Sequence, residues 1–218
     1  MSDESLFREV DEEVRQEQFK KLWARYGNAV IGLAVLVILG VAGMEGWKYW
    51  QLKQSQEAGD KFFAAAQLAT AGKAADAVKD FEAIDKTGFA DLGRLRAAAQ
   101  LAADGKAADA VKLYDEIAAD AKVDQTLRDL SRIRAAAVMA DTAAFADVEA
   151  RLKDFTAADN PWRHIARELL ASVQFRLKDY PGANTQVMGI LADPSTPPPL
   201  RQRAETMAQI LQPMVTSQ

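Results

Sequence analysis

The sequence predicts an all-α fold, in which an N-terminal helix and a single transmembrane helix precede a solenoid of helical hairpins. The run from Tyr26 to Met44 carries no charge. The part of the chain after it is rich in alanine, the strongest helix former. The octapeptide GKAADAVK occurs twice, beginning at Gly72 and at Gly105, a spacing typical of helical repeats. We expect an N-terminal segment (1–27), a transmembrane helix (28–46), a juxtamembrane linker (47–57) and a repeat domain (58–218).

Composition excludes several classes of function. The chain of 218 residues has no cysteine, which excludes disulfides, thiolate metal sites and cysteine nucleophiles. Its single histidine excludes the usual zinc sites that need two imidazoles. A net charge of −4 is unlike the basic surface of a nucleic-acid-binding protein. We expect no metal, no other cofactor and no nucleic-acid partner.

The segment before the charge-free run is mostly polar. Within residues 5–26, apolar side chains recur at helical spacing, so this segment is predicted to be a helix. Its first half is acidic and its second half basic, which suits the helix dipole and a membrane surface at the far end. Two roles stay open at this point, a solvated stalk that sets topology and a docking segment for a cytoplasmic partner.

The charge-free run is long enough to cross a bilayer, because a helix of that length spans about 28 Å. Aromatic side chains that suit the membrane–water boundaries flank both of its ends: Trp23, Tyr26, Trp47, Tyr49 and Trp50. A long polar segment precedes the run and no good cleavage site follows it, so we expect an uncleaved signal anchor in the lipid bilayer. The slight excess of basic residues before the run predicts a cytoplasmic N-terminus and the repeats on the other side.

Small residues recur along one face of the predicted transmembrane helix. They are Ala29, Gly32, Gly40 and Gly43. Such a face allows two membrane helices to approach closely, which predicts contact with another membrane subunit or a second copy. The alternative is that these residues are simply common in membrane helices.

The repeat extends beyond the octapeptide. A third copy begins at Lys178, about two further periods along the chain, so a degenerate unit should occupy the gap, with Ala146 and Ala150 as its best candidates. The residues predicted to pack the repeats are Ala65, Gly72, Ala77, Phe81, Ala98, Gly105, Ala110, Tyr114, Ala171 and Ala183. This pattern resembles the tetratricopeptide repeat, in which a glycine closes the turn between two helices and small residues let them approach. The resemblance implies a curved solenoid with a concave groove that binds peptides.

The end of the chain and the lone histidine complete the prediction. The prolines at 194, 197, 198 and 199 should interrupt the helices, and residues 200–211 should form a capping helix. Asn160 as N-cap and Pro161 as first helical residue predict another helix, which places His164 on a surface or a seam. No sequence spacing supplies this histidine with an acidic or nucleophilic partner, and no catalytic motif is present, so we expect no enzyme.

The whole architecture is similar to the YfgM-like family of ancillary Sec translocon subunits. The similarity rests on the sequence GWKYWQ (46–51), on the closing stretch 177–207 and on the order of anchor and repeats. It implies a bacterial inner-membrane protein with periplasmic repeats. The implied partners are the Sec channel subunits, a membrane-anchored periplasmic prolyl isomerase or chaperone, and unfolded exported polypeptides. An acidic groove would favour basic clients. The alternatives are an assembly or structural subunit of another envelope complex, and an adaptor of opposite orientation.

Overall fold

The computed structural model describes residues 3–85 and 88–216, with side chains at residue 15 and from residue 17 onward. Within these residues the fold is all-α, as predicted. The chain divides into two compact units, one ending at Gln54 and one beginning at Ser55.

The N-terminal unit is helical from its first described residue, Asp3, onward. Helix α1 (Asp3–Thr70) begins there, and its last part, from Ser55, belongs to the second unit. Its apolar run is solvent-exposed, with Leu33, Leu36 and Leu39 each more than 60% exposed. Because apolar side chains favour burial, this surface requires an apolar environment such as a membrane or a partner.

In the part of the second unit that the structure describes, four helical hairpins and a final helix form a row. Hairpin 1 joins the end of α1 to α2 (Ala74–Glu82), and hairpin 2 joins α3 (Phe89–Ala103) to α4 (Ala107–Ala119). Hairpin 3 joins α5 (Gln125–Met139) to α6 (Phe145–Leu152), which a short 3-10 turn (Lys153–Phe155) extends. Hairpin 4 joins α7 (Arg163–Arg176) to α8 (Tyr180–Ala192), and α9 (Pro198–Thr216) follows.

Three of the four hairpins share one turn. Gly72, Gly105 and Lys178 all adopt a left-handed backbone, with φ of 76°, 77° and 64°. In hairpin 2 the amide of the next residue, Lys106, donates to the Leu101 carbonyl at 2.9 Å, and the equivalent bond recurs in the other two turns. This is a Schellman cap, which ends the first helix and lets the chain turn back.

The apolar core follows the hairpins. Four separate clusters of buried side chains exist among the described residues, and each joins one hairpin to the first helix of the next, or to α9 at the end. The largest fully buried side chains include Phe81, Ile117, Leu152, Ile190 and Leu211, so every hairpin contributes. Contacts between neighbours alone are what defines a solenoid.

Hairpin 3 is the degenerate unit, but the residues expected to pack it were wrong. Ala146 and Ala150 are exposed, and Val148 and Leu152 are buried in their place. Ala110, Val148 and Ala183 are the buried residues at equivalent places on the second helices of hairpins 2, 3 and 4. Their separations along the sequence are unequal, and both are longer than the separation of the two octapeptides. A larger side chain and an unequal offset hid this unit from a search at the octapeptide spacing.

Two helix starts also differ from expectation. Helix α7 begins at Arg163, because Asn160 Oδ1 accepts a hydrogen bond from the Trp162 amide at 2.9 Å in a turn that precedes the helix. Helix α9 begins at Pro198, earlier than expected, and continues beyond Leu211 to Thr216. Proline is tolerated there because the first residues of a helix have no amide bond to lose.

Candidate binding groove

Small side chains hold the two helices of each hairpin together. Ala65, Ala98 and Ala171 lie on first helices and are at most 2% exposed. Opposite them on the second helices, Ala77, Ala110 and Ala183 are completely buried. Phe81 and Tyr114 lie one turn further along α2 and α4 and are also buried. Because these positions hold small residues, the helices approach closely and the larger side chains fill the space beside them.

The residues predicted for the membrane lie on the exposed surface of α1. Trp47 and Trp50 contact each other with ring centroids 5.1 Å apart, and Trp23 stacks on Phe19 at 6.4 Å. Tyr26 and Tyr49 are exposed. Methyl groups at Gly32, Gly40 or Gly43 would meet nothing within 4 Å, and Ala29 is exposed. Among the described residues, α1 contains the one helix long and apolar enough to cross a membrane.

A groove of about 360 Å³ crosses the first helices of the first three hairpins. Its apolar surface comes from Phe62 of α1, Leu92, Leu95 and Ala99 of α3, and Leu130 of α5. The ring of Phe62 packs against that of the buried Phe81, with the ring centroids 5.2 Å apart. Leu92 is 42% exposed and therefore offers apolar area to a ligand.

Two arginines lie in this groove. Arg96 of α3 and Arg134 of α5 are both exposed, and the buried Tyr114 lines the same groove. Burial raises the pKa of the Tyr114 phenol above its ordinary value, and the positive charges of Arg134 and Arg96 act in the opposite direction. The groove is therefore basic, in contrast to the acidic groove considered from the net charge of the chain.

Ion pairs between helices fix the framework around the groove. Arg94 of α3 contacts Asp120 at 3.2 Å, and Arg151 of α6 donates to Asp115 of α4 at 2.8 Å. The bond to Asp115 raises the pKa of the Arg151 guanidinium. The Arg151–Asp115 pair joins hairpin 3 to hairpin 2, whereas the Arg94–Asp120 pair ties α3 to the end of α4 within hairpin 2. An i,i+4 pair, by contrast, would act within one helix only.

His164 lies at the seam between α7 and the end of α8. It is 6% exposed, and its Nε2 lies 2.9 Å from Asp193 Oδ2, which also accepts from Arg163 Nε at 2.7 Å. Ser195 Oγ donates to the other oxygen of Asp193 at 2.6 Å and accepts from Arg163. The bonds from Arg163 and Ser195 hold the pKa of the Asp193 carboxyl far below its usual range.

This polar cluster (Arg163, His164, Asp193 and Ser195) supplies the acidic partner that sequence spacing did not predict. The serine hydroxyl bonds to the carboxylate and is not the partner of the imidazole, so the arrangement differs from a nucleophile activated by histidine. Its geometry is that of a clamp that ties α7 to the turn before α9. Among the described residues, no group of three His, Cys, Asp or Glu is placed to hold a metal ion.

Sequence reasoning found the hairpins but missed the lining of the groove. The spacing of the two octapeptides pairs Phe63 with Arg96, so it could have marked these positions as equivalent. The same spacing does not align Arg96 with Arg134, because hairpins 2 and 3 are further apart in sequence than hairpins 1 and 2. The groove offers apolar contact beside two guanidinium groups, which suits binding of a polypeptide.

Comparison with known families agrees with this geometry. A family model described as a tetratricopeptide repeat-like domain matches residues 20–169, more than half of the chain. The match begins before the apolar run and includes the first three hairpins. No curated protein and no solved structure matches the chain.

Proposed function

The chain belongs to the tetratricopeptide repeat-like family, and we propose that it is a membrane-anchored, non-enzymatic scaffold that binds other polypeptides in its groove. The observation that carries this proposal is the groove itself, where exposed apolar and basic side chains lie on a row of packed helices. Repeat solenoids use such concave surfaces to bind peptides.

The proposed site of action is the bacterial inner membrane. The helix from the N-terminal unit would cross the bilayer once, because its apolar run is exposed and flanked by exposed aromatic side chains. The N-terminus would lie in the cytoplasm and the repeats in the periplasm. The basic residues before the run support this orientation, since Lys20, Lys21 and Arg25 outnumber Lys48 and Lys53 after it.

The proposed partners are the channel subunits of the Sec translocon and a membrane-anchored periplasmic prolyl isomerase or chaperone. The clients would be unfolded exported polypeptides, whose apolar segments need shielding until they fold. The resemblance to YfgM-like ancillary subunits supports this choice, as does the joint presence of an apolar helix and repeats within one matched region. The second candidate is an assembly or structural subunit of another envelope complex, which the same helix and groove would serve.

Photocrosslinking in cells tests the binding site. A photoreactive amino acid at Leu92, in the groove, should capture nascent exported proteins, whereas the same residue at Arg132 should not. Arg132 is a matched control because it is exposed on α5, two positions from each of the groove residues Leu130 and Arg134 and therefore on the opposite side of the helix. Equal capture from both positions would refute binding in the groove.

The orientation can be tested with one introduced cysteine, because the chain has none of its own. A maleimide that cannot cross the inner membrane should label a Thr206→Cys variant in cells with a permeabilised outer membrane, because Thr206 is exposed on α9. A Ser2→Cys variant should be labelled only after lysis. The reverse pattern would place the repeats in the cytoplasm and would favour an adaptor of opposite orientation.

Contact within the membrane is tested with paired substitutions. The double variant Gly40→Leu with Gly43→Leu should reduce co-purification of Sec channel subunits, because it fills the small-residue face. The control is Val35→Leu with Ala42→Leu, which adds bulk on the opposite side of the same helix. Recovery of a different envelope complex, without Sec subunits, would move the function to the second candidate.

A further inference from the structure

Each hairpin presents one side chain at the same place on its first helix. The small residues that pack the first helices are Ala65, Ala98, Ala136 and Ala171, all at most 2% exposed. Two positions before them stand, in order, Phe63, Arg96, Arg134 and Leu169. Equivalent positions on equivalent helices form one row along a solenoid. The order of this row is apolar, basic, basic, apolar.

The two central members of the row have no partner among the described residues, in either an ion pair or a hydrogen bond. The other arginines of α3 and α5 differ in this respect. Arg94 contacts Asp120, Arg132 lies near Asp129, and Arg128 donates to Gln125. Of the arginines of α3 and α5, the two without a partner are thus the two that line the groove, in a protein whose net charge is negative.

The outer members of the row are apolar. Phe63 is 65% exposed, and it follows Phe62, which lines the groove. Leu169 is half-buried against the third hairpin. A ligand that crosses the whole row therefore meets apolar surface at both ends and positive charge in the middle.

We propose that the groove binds an extended polypeptide segment with acidic side chains at its centre and large apolar side chains on either side. This inference rests on the proposed function and specifies its client. Carboxylates of aspartate or glutamate would pair with Arg96 and Arg134, because a guanidinium matches a carboxylate in charge and in geometry. The apolar residues of the segment would cover Phe63 and Leu169.

The spacing of the ligand follows from the helices. Adjacent packed helices lie about 8–10 Å apart, and an extended chain advances about 3.3 Å per residue. One repeat therefore corresponds to about three residues of the ligand. The expected segment carries an apolar, an acidic, an acidic and an apolar residue at about every third position. A free C-terminal carboxylate is the less suitable occupant, since the row continues on both sides of the arginines.

The test measures peptide binding by fluorescence anisotropy to the full chain in nanodiscs of neutral lipid. The probe is a labelled peptide of about twelve residues with blocked termini and leucine, aspartate, aspartate and leucine at every third position. Two comparison peptides replace both aspartates with asparagine, one with a blocked C-terminus and one with a free carboxylate. A third replaces them with lysine.

We expect the aspartate peptide to bind most tightly and its affinity to fall as salt is raised. Arg96→Gln or Arg134→Gln should each raise its Kd about twofold to fivefold, and the double variant about tenfold. Arg132→Gln, which removes the same charge from the other side of α5, should leave the Kd unchanged.

Other results would overturn the inference in distinguishable ways. Equal binding of the aspartate and asparagine peptides, with loss in a Leu92→Asp variant, would refute acidic selectivity but leave the groove as a binding site. Tightest binding of the free-carboxylate peptide would assign the arginines to a chain terminus, and tightest binding of the lysine peptide would exclude an acidic client. Binding of no peptide, together with no crosslink from Leu92, would refute the proposed function as well.

Discussion

Lys178 occupies a backbone conformation that is costly for any residue except glycine, and its replacement by glycine should stabilise the protein. The turns of hairpins 1 and 2 have Gly72 and Gly105 at this place, whereas hairpin 4 has lysine at φ 64°. Lys178 is exposed, and its amide donates to the Phe175 carbonyl at 3.0 Å as the glycine amides do in their own turns. The perturbation Lys178→Gly thus changes backbone strain and little else.

The size of the effect follows from two opposing terms. A left-handed conformation costs an L-residue about 1–2 kcal/mol. Glycine avoids this cost, but it loses more conformational freedom on folding than lysine does, which offsets about 0.5–1 kcal/mol of the gain. We expect Lys178→Gly to stabilise the fold by about 0.5–1 kcal/mol. The reverse change, Gly105→Lys, should destabilise it by a similar amount, since a Cβ at Gly105 would meet nothing within 4 Å and adds no clash.

Thermal unfolding of the full chain in mild detergent, followed by circular dichroism, measures both changes. The repeat unit runs from Ser55 to Gln218. For a unit of about this size, 1 kcal/mol shifts Tm by about 2–4 °C. Lys178→Gly should therefore raise Tm by about 1–4 °C, and Gly105→Lys should lower it to a similar extent.

A control separates backbone strain from loss of the lysine side chain. Lys178→Ala removes the side chain but keeps a Cβ, so its Tm should stay near that of the wild type. The reasoning is refuted if Lys178→Ala stabilises the protein as much as Lys178→Gly, or if glycine at this position lowers Tm.

Three further changes test other contacts. Asp193→Asn should lower Tm at neutral pH, and the difference from the wild type should shrink below about pH 4. The reason is that the pKa of this carboxyl is lower in the fold than its unfolded value of about 3.9, so the stabilisation exists above that value and is lost as pH falls. A difference in Tm that persists unchanged at low pH would contradict this. Arg176→Met should destabilise hairpin 3 by about 1–2 kcal/mol in urea unfolding. Arg176 belongs to hairpin 4, and its Nε donates to the Ala140 carbonyl of hairpin 3 at 2.9 Å. An unchanged urea midpoint would show that this bond contributes nothing to stability. Gly93→Ala should cost more than about 1 kcal/mol in the same assay, because a Cβ there would lie 2.6 Å from the Phe81 carbonyl oxygen; a neutral result would mean that α3 can shift away from α2.

The parts of the fold that could be predicted are those that depend on local sequence. A glycine that ends a helix in a left-handed turn has a mechanism visible in one chain, so Gly72 and Gly105 marked hairpins 1 and 2. Alanine-rich helices with a repeated octapeptide were equally clear. Lys178 was found only because the residues after it follow the same pattern.

A degenerate unit was expected where hairpin 3 lies, but its packing residues could not be predicted because they replace the usual residue types. Helix α5 ends at Met139, and the turn to α6 has no residue in the left-handed conformation. Val148 stands where the other hairpins have alanine. Without a glycine in its turn or an alanine at this place on its second helix, hairpin 3 is not found by a comparison at the octapeptide spacing.

The lining of the groove could not be predicted because it depends on which side of each helix faces inward. The equivalence of Arg96 and Arg134 emerges only once burial aligns Ala98 with Ala136, at an offset longer than that of the octapeptides. The clamp at Asp193 is similar, because its partners His164 and Arg163 lie about 30 residues away in sequence. Contacts of this kind depend on tertiary packing, which local patterns do not contain.

The division of the core into four clusters has a consequence for how the protein responds to a ligand. Each cluster joins only adjacent elements, and although Leu113 packs against two of them, no single cluster of the described side chains extends from one end of the row to the other. Local opening, and with it amide hydrogen exchange, should therefore vary from hairpin to hairpin. A peptide held by α3 and α5 would slow exchange there and leave α8 and α9 unprotected. Occupation of the groove should therefore leave the local stability of the final two helices unchanged.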